Sequence, residues 1–239
     1  MRTDRISVVI MNWARSANVI RFVKQYHGCH NIGEIIVWDA SVASPLPPGV
    51  FDDFKDKVHY VRSHHDFGLY PRYMMGAAAE GNSVMIVDDD LLLPASTIDA
   101  LHDYHKKDPL TIHGLIGRQP TLDGNYTPHL VVGPCEIVLT RALITSPWLC
   151  GRAVAWGTKH IRELPGVPTG NGEDIVLSYT AMAESGRLNR TYKLAYSNED
   201  RGNPQAISTR FKAHGQHRSA VVKWCRRYIM DGRQTPVLK

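Results

Sequence analysis

Val84-Met85-Ile86-Val87-Asp88-Asp89-Asp90-Leu91-Leu92-Leu93-Pro94 is the stretch on which the reading of this chain turns. Four consecutive apolar residues describe a strand buried on both faces, as in a parallel sheet. Three carboxylates follow at once, and negative charge gathered at the end of a buried strand is costly unless a cation compensates it. Magnesium or manganese suits that role, since both take oxygen ligands and bind through one or two carboxylates while nucleotide phosphates complete the shell. Strand alternation turns Asp88 and Asp90 the same way and leaves Asp89 pointing oppositely or toward a ribose. Asp90 is therefore the expected direct metal ligand, with Asp88 beside it. After the leucines, Pro94 leads into a helix expected to be capped by Ser96 or Thr97.

The same pattern extends upstream. Ile6 to Met11 forms a β-rich run ending at Asn12, and Ser16 is placed to cap a helix carrying Val19, Ile20 and Val23. Ile35-Ile36-Val37-Trp38 is a second strand closed by Asp39, Val58 to Val61 a third, and Tyr73 to Glu80 a helix. Strands alternating with helices predict an α/β fold, with a mainly parallel sheet and helices on both faces. Ligands bind such sheets beyond the carboxyl ends of the strands. Asn12, Asp39 and the three aspartates all fall there, along one crevice.

Downstream the pattern loosens. Ile112 to Ile116, Leu130 to Val132, Glu136 to Leu139 and Leu194 to Tyr196 read as strands of a mixed or antiparallel second half. A helix is expected from Glu173 to Ala183, capped by Asn171 and Gly172, and a basic helix from Arg218 to Met230. The 239 residues are read as one domain, with its two halves at 1–94 and 95–239.

The formal charge of +5 suits nucleotide diphosphates, nucleic acid or an acidic membrane face alike. Four scattered cysteines lack metal or redox spacing and are read as free thiols of a reducing compartment. No apolar run near the start is long enough for a signal peptide or a membrane span, so a cytoplasmic location is expected.

Val87-Asp88-Asp89-Asp90-Leu91 resembles the metal motif of the exostosin-type glycosyltransferases, and Val9-Ile10-Met11-Asn12-Trp13 and Trp38-Asp39 resemble that family's opening strands. Phe67-Gly68-Leu69-Tyr70-Pro71-Arg72-Tyr73 is similar to its Asn-Arg-Phe region, which touches base and ribose, with Asp66 and Arg72 in place of the family's pattern. Asn171-Gly172-Glu173-Asp174-Ile175 is similar to the acidic helix start beside the acceptor and the anomeric carbon. The resemblance implies a GT-A (Rossmann-like) fold and a metal-dependent transferase. It would move a sugar from a nucleotide-diphosphate sugar to a carbohydrate or glycoconjugate hydroxyl, with retention. Mn2+ or Mg2+ would be its cofactor, held by Asp88 and Asp90, and Glu173 and Asp174 its catalytic carboxylates. Asn12, Arg15, Asp39, Asp66, Arg72, Asp88, Asp89 and Arg210 would bind the donor.

In the basic C-terminal region, Arg210, Lys212, His214 and His217 are candidates to embrace the diphosphate together with Arg15, and His214 is the candidate third metal ligand. If the reaction inverts, Asp174 or Glu173 would be the base. Two other classes remain open: a metal-dependent nucleotidyltransferase or phosphohydrolase, and a binding module for nucleic acid or acidic lipid built on the basic helix. The first lacks a DxDxT signature or a phosphate loop. The second leaves the aspartates unexplained, so no nucleic-acid partner is expected, and membrane contact would be peripheral.

Overall fold

A computed structural model describes residues 3–41, 44–160, 171–199 and 214–230, with the backbone alone at 157–160. β1 (Thr3–Asn12), β2 (Ile32–Asp39), β3 (Val58–Arg62) and β4 (Gly81–Val87) form the parallel half of an eight-stranded sheet. Their order is β3-β2-β1-β4, so the chain steps to one side of β1 and then to the other. That reversal makes the gap between the carboxyl ends of β1 and β4 a topological switch point, where ligands of open α/β sheets bind. Asn12 ends β1, and Asp88 follows β4.

Side-chain alternation along these strands builds two cores. Ile6, Val8 and Ile10 of β1, with Met85 and Val87 of β4, face α1 (Ser16–His27) and α3 (Ala95–Lys107), against Val19, Phe22, Ile98 and Leu101. Val9, Val84 and Ile86 face the other side. There they meet residues of α2 (Pro71–Ala78), α4 (Pro147–His160), α5 (Glu173–Ser185) and α6 (His214–Tyr228), including Tyr73, Leu149, Ile175 and Val221. Helices on both faces explain the continuous apolar runs Val8 to Met11 of β1, Ile35 to Trp38 of β2 and Val84 to Val87 of β4.

Beyond β4 the sheet continues through β11 (Ala142–Thr145), antiparallel to β4, then β6 (His113–Gly114), β12 (Asn189–Thr191) and β9 (Gly133–Cys135). β10 (Ile137–Val138), β7 (Gly117–Arg118) and β8 (Leu130–Val131) form a small second sheet, and β13 (Ser197–Asn198) pairs with β5 (Leu91–Leu92). The mixed second half is thus present, in shorter strands than expected.

Several local expectations are corrected. Ser16 does not cap α1, because its hydroxyl bonds Ser44. Neither Ser96 nor Thr97 caps α3: Pro94 stands at the cap, and the Thr97 hydroxyl donates to the Ala195 carbonyl. α2 begins at Pro71, whose fixed φ suits a first helical turn, rather than at Tyr73. Leu194 to Tyr196 is not a strand. β11 and α4 were not expected at all.

Candidate functional site

The turn carrying the aspartates is pinned through its backbone. Asp88 N–H donates to the Arg141 carbonyl, Leu91 N–H to the Asp88 carbonyl, and Glu199 N–H to the Asp90 carbonyl, while Asn18 Nδ2 donates to the Asp89 carbonyl. The side chains then diverge onto three arginines. Arg15 reaches Asp89 Oδ1 at 2.6 Å, Arg72 reaches Asp88 Oδ1 at 3.0 Å, and Arg141 reaches Asp90 Oδ1 at 3.1 Å.

The three carboxylates are not equivalent. Asp89 keeps 10% of its side chain exposed, against 29% for Asp88 and 20% for Asp90. Burial raises the Asp89 carboxyl to about 6; Arg15 opposes the shift, and the neighbouring aspartates reinforce it. Asp90 is raised too, by burial and by the charge of Asp88, against the pull of Arg141. Asp89 thus locks the crevice wall to Arg15, across the switch point, while Asp88 and Asp90 remain reachable.

Those two carboxylates fit a hard divalent cation. They offer oxygen donors from one short turn, each gives only Oδ1 to an arginine, and their mutual repulsion is the kind a dication relieves. His214 is not brought to them. Among the described residues, the carboxylate and imidazole atoms gathered within 4.8 Å of one another belong to Glu34, His59 and Glu80, at the amino ends of strands. His214 Nδ1 instead lies 3.2 Å from Asn171 Nδ2, and burial lowers its basicity. Arg210 and Lys212 lie outside the described residues.

Arg72 links the aspartates to the start of α5. The same Nη1 that bonds Asp88 lies 3.8 Å from Glu173 Oε1, which also accepts from the Thr140 hydroxyl at 3.2 Å. Glu173 and Asp174 are both buried, at 2% and 4% exposure. Asp174 Oδ2 accepts from Arg218 at 2.7 Å and Oδ1 from the Ile175 amide, and the Arg218 guanidinium lies over the Tyr126 ring at 4.5 Å. Burial and the Asp174 charge raise Glu173 to about 7, against Arg72 and Arg218, and its Oε2 is buried without a hydrogen-bond partner. Gly172 occupies the cap with φ 95°, and no side chain caps the helix. Asn171, expected as a cap, serves α6 instead through His214 and through its carbonyl to His217 Nε2.

At the ends of β1 and β2 the polar residues hold each other. Asp39 is fully buried and accepts from Asn12 Nδ2, the Ser41 and Leu46 amides and the Tyr60 hydroxyl, and it forms an ion pair with Arg62. Burial pushes its carboxyl up, but these hydrogen bonds outweigh it and hold it below the usual range. Asp39 therefore shapes the crevice from behind. Asn12 adds a bond to the Ser44 carbonyl and keeps a buried Oδ1 unpartnered. Asp66 is exposed and closes a local turn onto the Gly68 amide. Beside it, Phe67 is 55% exposed and meets the Trp38 ring edge-on.

The basic C-terminal helix turns two of its arginines into the fold. Arg218 is spent on Asp174, and Arg226 grips both oxygens of Glu136, which also accepts from Tyr179 and Gln119. Glu136 is buried within this network, while Lys223 and Arg227 of the same helix remain exposed. Sequence reasoning missed Arg141, Thr140 and Arg62; their partners Asp90, Glu173 and Asp39 lie far away in sequence, and no local motif marks them.

Among the described residues, no helix is long and apolar enough to cross a membrane. The model of the glycosyl transferase family 64 domain matches residues 6–230. No curated protein sequence matches the chain. Of the solved structures, the chain resembles a mannosyltransferase from Pyrobaculum calidifontis in complex with GDP-Man and Mn2+, with TM-score 0.54 and 16% identity over 78% of this chain and 54% of that one. It also resembles GalNAc-T7 with UDP, GalNAc and Mn2+, with TM-score 0.62 and 14% identity over 96% of this chain and 51% of that one. The chain spans about half the length of each of these structures.

Proposed function

We propose, for a chain that belongs to glycosyl transferase family 64 and folds as a GT-A glycosyltransferase, that it moves a hexose from a nucleotide-diphosphate sugar to a carbohydrate or glycoconjugate hydroxyl in an exostosin-type reaction with retention. One arrangement carries the reading. Two reachable carboxylates, Asp88 and Asp90, stand at the switch point, and Arg72 links Asp88 to Glu173 of a buried acidic pair at a helix start. Both solved structures above contain Mn2+ with a nucleotide or nucleotide sugar, which supports a divalent cation for this chain too.

In this proposal Asp88 and Asp90 hold Mn2+ or Mg2+, and a bound cation neutralises the diphosphate leaving group. Arg15 keeps Asp89 and the crevice wall in place, and Arg210, outside the described residues, completes the diphosphate site. The wall formed by Asn12, Asp39 and the segment from Asp66 to Arg72 receives the nucleoside. Asp174, held by Arg218, faces the reacting carbon and stabilises positive charge developing there. Inversion is the second reading: Glu173, raised to about 7 with one unpartnered oxygen, has the basicity of a general base near neutral pH. The division into a donor half, 1–94, and an acceptor half, 95–239, in one cytoplasmic domain belongs to the same proposal.

The test is calorimetric titration with a panel of nucleoside diphosphates, with and without Mn2+. Manganese-dependent binding of one nucleotide, followed by sugar transfer from its hexose conjugate with the anomeric configuration read by NMR, is the expected result. Phosphate release without transfer would move the chain to the phosphohydrolase reading.

A further inference from the structure

A cavity of about 550 Å³ opens between the end of α3 and β12, away from the aspartates. Strand register fixes its place. Leu115 N–H bonds the Ala142 carbonyl, and Ala142 sits opposite Val87, the residue before Asp88. Progress along β6 toward Leu115 therefore leads to the aspartate edge. Arg190 pairs with His113, at the other end of β6, and Thr111 and Arg187 lie further back. The cavity is at the amino ends of β6 and β12, and nothing in the proposed transferase chemistry uses it.

Its walls combine charge with a rigid aromatic surface. Tyr104 stacks on Tyr192 with centroids 4.0 Å apart and planes within 6°. His113 fixes that stack, with Nδ1 at 2.9 Å from the Tyr192 hydroxyl and Nε2 at 3.0 Å from the Asp108 carbonyl. Three cations, Lys107, Arg187 and Arg190, line the cavity against one carboxylate, Asp108, already paired with Arg187. Among the described residues, neither Lys107 nor Arg190 pairs with a carboxylate, so two positive charges are in excess. Thr111 also lines the cavity; the residue is 3% exposed, and its hydroxyl oxygen is buried behind that surface without a hydrogen-bond partner. A buried hydroxyl in that state lacks the partner that such groups nearly always have.

An oxyanion satisfies these features together: it neutralises the two exposed cations through charge-assisted bonds and leaves an attached ring to lie against the tyrosines. The volume lies within the range of small-molecule sites. We propose that this cavity is a second binding site, for a small ring compound carrying a phosphate or sulfate group.

The experiment follows backbone amides of the 15N-labelled full chain by NMR during titration with phenyl phosphate and, separately, inorganic phosphate. Saturable shifts of Thr111, Gly186 and Leu188 are expected, with phenyl phosphate binding more tightly than inorganic phosphate. The double variant Lys107→Ala/Arg190→Ala, which changes two exposed side chains, should weaken binding by roughly 10-fold or more with an unchanged melting temperature. Shifts confined to the Asp88–Asp90 turn, no saturable shift up to roughly 20 mM, equal affinity for the two probes, or an unaffected double variant would each overturn the proposal.

Discussion

The aspartate turn after β4 and the acidic start of α5 are chemically alike and physically opposite. Each gathers carboxylates beside arginines, and Arg72 touches both. At the turn, Asp88 and Asp90 keep a fifth to a third of their side chains in contact with solvent; at the helix start, Glu173 and Asp174 are sealed. A carboxylate meant to receive a ligand must stay reachable. One meant to present a fixed charge to a reacting centre gains from being immobilised, because a preorganised charge needs no reorganisation during the reaction. The contrast is the ground on which we propose ligand capture for the first region and charge placement for the second, and each proposal can be broken separately.

The largest expected effect is at the turn. Asp90→Asn keeps the shape and removes the charge, and should lower kcat/KM by about 10³-fold while abolishing manganese-dependent nucleotide binding in calorimetry. Unchanged binding would remove Asp90 from the ligand-capturing set. Arg72→Ala strikes both regions at once by leaving Asp88 and Glu173 without their shared cation in a buried setting. The expected cost is about 3–5 kcal/mol of stability, seen as a melting temperature lower by on the order of 10 °C. A loss below about 1 kcal/mol would mean that the two regions are not coupled through this residue.

Asp174→Asn tests the second region alone. Turnover should fall by about 10²-fold while donor affinity changes by less than about threefold, since the proposed place of this charge is at the reacting carbon. Equal losses in the two would shift Asp174 into the donor pocket. Glu173 supplies a subtler test through pH. Its carboxyl is raised to about 7, so the stability linked to its proton is fully present below the ordinary carboxylate value and is lost as pH rises toward and through 7. Thermal melting followed from pH 5 to pH 8 should therefore decline more steeply for the parent chain than for Glu173→Gln. Parallel curves would show that Arg72, Arg218 and Thr140 already stabilise the ionised form.

The two regions also differ in how far they could be read from sequence. Val84 to Val87 announced a buried parallel strand because four apolar residues running straight into three charges mark a chain leaving the core, and the strand ends at Asn12 and Asp39 followed from the same logic. The helix at Glu173 was legible from its spacing. What could not be read was who holds these groups. Arg141 meets Asp90 across 51 positions and Arg218 meets Asp174 across 44, distances at which only the folded sheet and helix packing set the partner. Hydroxyls misled for the same reason: Ser16 and Thr97 sit where caps belong, yet Ser44 and the Ala195 carbonyl offer tertiary partners instead. β11 was missed because its four residues are all buried, and so short an apolar run carries no period of its own.

The smallest effect concerns the joint on which the second region turns. Gly172 holds φ 95° at the head of α5, and a methyl group there would stand 3.0 Å from Val221 of α6. Gly172→Ala should cost about 1–2 kcal/mol from left-handed strain and crowding, a melting shift of about 2–8 °C. Asp174 lies two residues further on and is clamped by Arg218 from the same α6, so a displaced α5–α6 contact would move the charge as well as weaken the fold. If charge placement is what α5 supplies, turnover should fall more than nucleotide affinity, in the same direction as Asp174→Asn but by less. A variant that melts lower yet turns over normally would show that the Arg218–Asp174 ion pair alone fixes the carboxylate, and that the helix start needs no help from its cap.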